Sequence, residues 1–160
     1  RKLAPVLRTD ASGAATEYEM ITHTPGGADE SWRGTITRGR LSATIAGSRG
    51  TAAREFIVPP GAVVLDDDVF HQHYFVAQRT HSGQVPIVIP RRNQQVSLAV
   101  ANTGTEPVLI GNHELQATHL RLTEPSGAVR DLWVDDANRV LKVAIPSRGV
   151  VAVRDDPPRA

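Results

Sequence analysis

Cysteine is absent from all 160 residues. That removes disulfides, thiolate zinc sites, iron–sulfur clusters and cysteine nucleophiles together. The absence fits a reducing cytosol, and it fits equally an exported bacterial protein that avoids stray thiols. Lysine is almost absent too: of eighteen basic side chains only Lys2 and Lys142 are not arginine. Arginine binds phosphate and carboxylate well, but a GC-rich genome produces the same bias with no function attached. Nor is there an excess of one charge. The net charge is +1, with nine basic against nine acidic residues up to Thr80 and nine against eight after it. No basic face is available to neutralise phosphates, which argues against a nucleic-acid partner. No run approaches the ~18 apolar residues of a membrane helix, so no transmembrane segment is expected. The chain opens at Arg1 with neither an initiator Met nor a signal peptide, and it reads as a processed or trimmed product.

What is present is alternation. Apolar residues make up 40% of the chain and charged residues 22%, enough for one β-rich domain over residues 1–154 with a disordered tail at 155–160. Period-two patterning, the mark of half-buried strands, recurs over Ala15–Thr24, Ser31–Arg38, Leu41–Gly47, Thr51–Val58, Gln84–Ile89, Gln95–Asn102, Glu106–Ile110, Leu115–Thr123, Val129–Val134, Asn138–Ile145 and Gly149–Arg154. About ten strands at this spacing predict a mainly β fold, a large curved antiparallel sheet or open half-barrel. One stretch departs from it. In Asp66–Thr80, Val69, Phe70, Tyr74 and Ala77 fall at helical spacing, with Asp66, Asp67 and Asp68 where an N-cap and first turn belong. A single helix over about 66–80 is expected to pack on the sheet.

The chemical motifs are weak. His71 and His73 would share a face on a strand and could bind zinc there, but on a helix they stand ~200° apart. No metal is expected. Asp66–Asp68 lack the spacing and glycine of a calcium loop. Asp131, Asp135 and Asp136 flank Trp133, yet Asp135-Asp136-Ala137-Asn138 has the composition of a hairpin turn. No serine sits in a nucleophile elbow, and no glycine spacing matches a phosphate or dinucleotide loop. Catalytic residues and cofactors are therefore not expected. Shape is what remains. A sheet crossed by a helix can enclose an apolar cavity, with Val85, Ile87, Ile89, Val96, Leu98, Val100, Phe70 and Tyr74 as candidate lining. Arg91 and Arg92, after Pro90 at a strand end, are candidates to meet an anionic headgroup.

Two stretches carry a resemblance. After the Ile/Val-Pro strand end at Ile57-Val58-Pro59, Val64–Phe75 runs through Leu-Asp-Asp into Phe-His and an aromatic helix. Leu132–Arg154 reads Leu-Trp-Val-Asp-Asp…Arg-Val-Leu…Pro-Ser-Arg-Gly-Val-Val-Ala-Val-Arg. With Ile89-Pro90 and Gly111…Ala117-Thr118-His119-Leu120 between them, the chain from about Thr51 to Arg154 resembles a group of exported bacterial domains. These are similar in turn to the lipoprotein-carrier fold, an open antiparallel half-barrel closed by helices. The resemblance implies a periplasmic or otherwise exported location and a non-enzymatic role carrying a lipid or other apolar ligand. It transfers no residue-level site, and fold alone does not fix function. The alternatives are a structural or interaction subunit of an envelope complex with a protein partner, which would use exposed sheet edges, and an enzyme whose titratable groups converge only in the fold.

Overall fold

The alternating stretches fold into strands in the computed structural model, which describes residues 1–159. Twelve strands and one short helix are seen among them, arranged as a five-stranded and a seven-stranded sheet instead of one sheet of about ten strands. The chain groups into two compact units. One comprises residues 1–69 and 87–95, and the other residues 70–86 and everything from Val96 onward.

In the first unit, β1 (Lys2–Thr9), β2 (Ala15–His23), β3 (Glu30–Thr37), β4 (Arg40–Gly47) and β5 (Gly50–Ile57) form an antiparallel meander in sequential order. Strand β1 escapes the sequence pattern because Pro5 interrupts it. The structure places that proline on an edge strand, where a missing N–H costs least. Register aligns Met20 with Trp32, Gly34 with Ala43, and Leu41 with Phe56. One face thus collects Tyr18, Met20, Trp32, Leu41, Ala43 and Phe56, and Val64, Val69 and Val88 of the same unit complete the cluster. The Tyr18 and Trp32 rings meet at 5.5 Å and 55°.

Gly34 is the space this packing requires. A Cβ there would lie 2.7 Å from the Trp32 ring and 2.8 Å from Leu41 Cδ1, both buried. Gly34→Ala is expected to cost about 1–3 kcal/mol through overpacking. A urea titration followed by tryptophan fluorescence checks this, and an unchanged midpoint would contradict it.

Strand β6 (Val63–Val64) pairs in parallel with Ile87 and Val88 of β7 (Gly83–Ile89). The remaining strands are β8 (Gln94–Ile110), β9 (His113–Thr123), β10 (Val129–Val134), β11 (Val140–Ile145) and β12 (Val150–Val153), and the sheet order runs β12-β11-β10-β9-β8-β7-β6. β8 is one strand where the sequence suggests two. Gly104, at φ 120°, donates its N–H to Asn102 Oδ1 (2.9 Å), and the register with β9 slips there without ending the pairing. β7 to β8 and β11 to β12 are joined by the same device. Ile89-Pro90 and Ile145-Pro146 each lead into one 3₁₀ turn, closed by a left-handed residue, Asn93 at φ 53° and Gly149 at φ 61°.

The helix is shorter than expected. A 3₁₀ turn at Phe70–Gln72 leads into α1 (His73–Arg79), and Gln72 at the N-cap makes no side-chain capping bond. The three aspartates are not the cap. Asp68 is left-handed at φ 64°, which breaks helical continuity before Phe70, and Asp66 is fully buried in other company. Residues 155–159 form neither helix nor strand, and Ala160 of the expected tail lies outside the described residues.

Candidate functional site

An open, largely apolar cleft of about 530 Å³ lies within the second unit, inside the ~300–1,000 Å³ range of small-molecule sites. One wall comes from the helical turn. Phe70 and Tyr74 are four residues apart, as are His71 and Phe75, so both pairs face the same side. The Tyr74 and Phe75 rings meet edge to face at 5.3 Å. The other wall is the closing hairpin, with Val140, Leu141 and Val143 of β11 and Ala152 and Val153 of β12, Leu141 and Val143 being fully buried. Val143 pairs directly with Ala152.

The polar members of the lining differ in their commitments. Arg139 is held by Asp135, with Nε 2.7 Å from Oδ2 and its backbone N–H donating to Oδ1 at 2.8 Å. His71 is lowered below its ordinary pKa by burial, so it is neutral at pH 7. Arg154 is exposed. Its Nε donates to the Asp156 carbonyl (3.2 Å), and it forms no ion pair with a carboxylate among the described residues. The Tyr74 hydroxyl has no hydrogen-bond partner there either.

Of the residues singled out from sequence, Phe70 and Tyr74 reach this cleft. Val85, Ile87, Ile89, Leu98 and Val100 are instead buried core side chains, at most 4% exposed, and Val96 is half-buried; none of the six lines it. Arg91 and Arg92 already have carboxylate partners. Arg91 Nε lies 3.0 Å from Asp66 Oδ2, and Arg92 grips Asp67 with Nε and Nη2 at 2.7 and 2.8 Å. Phe75, the hairpin residues and Arg154 were missed. The signal for Phe75 was its helical spacing from His71. The signal for the hairpin was a run of valines on a closing strand that nothing in the sequence covers.

Three further clusters hold chemistry-bearing groups. In the first unit Asp66 is fully buried and accepts from the Tyr18 hydroxyl (2.8 Å), Arg91 Nε (3.0 Å) and the N–H groups of Asp67 (3.0 Å) and Arg91 (3.2 Å). In the second unit His73 is completely buried and its Nδ1 donates to the Phe70 carbonyl (2.9 Å), while Nε2 has no partner. Burial, with the nearby Arg130 guanidinium, pushes its pKa down to about 3. Arg130 itself is paired with Glu124 at 3.0 Å, both buried. The third cluster lies on one face of β8–β11. There the Trp133 ring is stacked on His119 at 4.5 Å and has the Lys142 ammonium 4.3 Å from its centroid. Asp131 binds His119 Nε2 (2.8 Å) and Arg121 Nε (3.1 Å), and Trp133 Nε1 donates to Glu106. These groups satisfy one another across adjacent strands and act as a polar strap.

Asp135 and Asp136 belong to the β10–β11 turn. Asp135 Oδ1 accepts from the N–H of Ala137 at 3.0 Å and from that of Arg139, and Asn138 is left-handed at φ 60°. Among the described residues no three His, Asp or Glu side chains are grouped to hold a metal ion, and no helix is long and apolar enough to cross a membrane. Comparison of the chain with protein-family models, curated proteins and solved structures finds no match.

Proposed function

We propose that the chain is a non-enzymatic binding domain, exported in its cellular setting, that holds an apolar small molecule in the cleft between Phe70–Phe75 and the β11–β12 hairpin. The carrying observation is the cleft wall itself. Three aromatic residues with Val140, Ala152 and Val153 line an open space of ligand size, over the fully buried Leu141 and Val143. Burying an alkyl chain there is favourable by ~0.8 kcal/mol per CH₂, and the reading needs no catalytic group. The carrier resemblance of Thr51–Arg154 supports the same conclusion.

A fluorescent apolar probe, N-phenyl-1-naphthylamine, tests it. Saturable one-to-one binding is expected, and Ala152→Phe, which fills the cleft from its hairpin wall, is expected to weaken it about tenfold. Equal binding by wild type and Ala152→Phe would place the probe elsewhere. One feature favours a second reading, an interaction subunit of an envelope assembly. β12 is the edge of its sheet and leaves Val151 and Val153 61% and 45% exposed, a surface suited to strand addition. Wild-type protein that binds no probe would overturn the ligand reading in favour of this one.

A further inference from the structure

The cleft's polar groups narrow the ligand class, and this step rests on the binding reading above. Arg139 is neutralised by Asp135. His71 contributes no charge at neutral pH, because burial favours its uncharged form. The lining contains no Asp or Glu. Arg154, just past the end of β12 and in contact with solvent, is the lining cation that makes no ion pair with a carboxylate among the described residues, and Asp155 and Asp156 follow it in the chain. Tyr74 also lines the cleft, with a hydroxyl that makes no hydrogen bond among the described residues.

We infer that the cleft takes a singly charged, single-chain amphiphile, a long-chain carboxylate, with its alkyl chain along the accessible Phe70, Tyr74, Phe75 and Val140 of the lining and its head against Arg154. One guanidinium matches one carboxylate in charge and in its planar two-point geometry. A phosphate monoester, carrying ≈ −1.5 to −2 at pH 7, would leave charge unbalanced beside apolar walls. A neutral alcohol of the same length would leave Arg154 as solvated as before and gain only the chain burial.

Isothermal titration at pH 7 with dodecanoate, dodecanol and dodecyl phosphate, each below its micelle or solubility limit, tests this. Dodecanoate is expected to bind about tenfold more tightly than dodecanol and more tightly than dodecyl phosphate. In Arg154→Gln, a change at an exposed side chain, the dodecanoate-to-dodecanol ratio is expected to fall to about one. Equal affinity of the wild type for dodecanoate and dodecanol, tighter binding of dodecyl phosphate, or a ratio that survives Arg154→Gln would each overturn the assignment while leaving an apolar cleft in place. Failure of all three compounds to bind would overturn the cleft reading itself.

Discussion

Asp66→Ala is expected to destabilise the protein by about 3–5 kcal/mol, the usual cost of stripping one partner from a buried ion pair. The carboxylate is wholly inaccessible, and the Arg91 side chain that meets it is only 12% exposed. Its removal leaves a guanidinium stranded without a counter-charge and takes the carboxylate away from the Tyr18 hydroxyl. Two backbone N–H groups, those of Asp67 and Arg91, lose their acceptor at the same time. Asp67→Ala is the internal comparison. Asp67 and Arg92 are 24% and 33% exposed, and pairs near the surface contribute at most about 1 kcal/mol. Urea unfolding of both variants should separate them by at least 2 kcal/mol. Similar losses would mean that the Asp66 network is no more than a surface pair in its energetics.

Acid should weaken the second unit through His73. The unfolded chain takes up a proton near the ordinary value of 6.5, whereas the folded one resists until about 3. Below pH 6.5 the unfolded state therefore binds more protons than the folded state. The stability that His73 contributes is complete above pH 6.5 and declines as pH falls toward 3. At ~1.36 kcal/mol per pH unit, the loss at pH 4.5 is about 2–3 kcal/mol. The groups around it act in one direction or the other. Arg130 and His71 oppose a charge on the ring, the Phe70 carbonyl favours it, and Glu124 is engaged by Arg130. Carboxylates elsewhere also titrate in this range, so the diagnostic quantity is a difference. The wild type should lose about 2–3 kcal/mol more than His73→Leu between pH 7 and pH 4.5 in urea titrations. Parallel losses would show that His73 is protonated as easily folded as unfolded.

Much of the strand pattern was legible because alternation is a local property. Residues such as Val85, Ile87 and Ile89 show their spacing without reference to any partner. What alternation could not show was whether the second face is covered. Val85, Ile87, Ile89, Leu98 and Val100 read equally well as cavity lining and as filled core, and the structure makes them core. The aspartate triplet misled for a related reason. Asp66, Asp67 and Asp68 satisfy a local rule for helix starts, but the buried Tyr18 hydroxyl, 48 positions away, and Arg91, 25 positions away, claim Asp66 first. The cleft depended on a similar long-range coincidence. Phe70–Phe75 and Val140–Arg154 are separated by more than sixty residues, so only Phe70 and Tyr74 could be named beforehand. Arg91 and Arg92 looked available because their carboxylate partners are distant in sequence.

The first unit is discontinuous in the chain: residues 87–95 belong with residues 1–69, although 70–86 come between them. During synthesis, the five-stranded meander can emerge and pair in order, each hairpin closing on its predecessor. Asp66 then leaves the ribosome 25 residues ahead of the arginine that neutralises it, and Val88 follows Val69 at a distance of 19. Until Arg91 has appeared, burying Asp66 would strand a negative charge, so the final closure of this unit must wait for residues of the second one to be made. A ribosome-stalled chain ending near Val69 would carry every strand of the meander and still lack the counter-charge that lets its core shut.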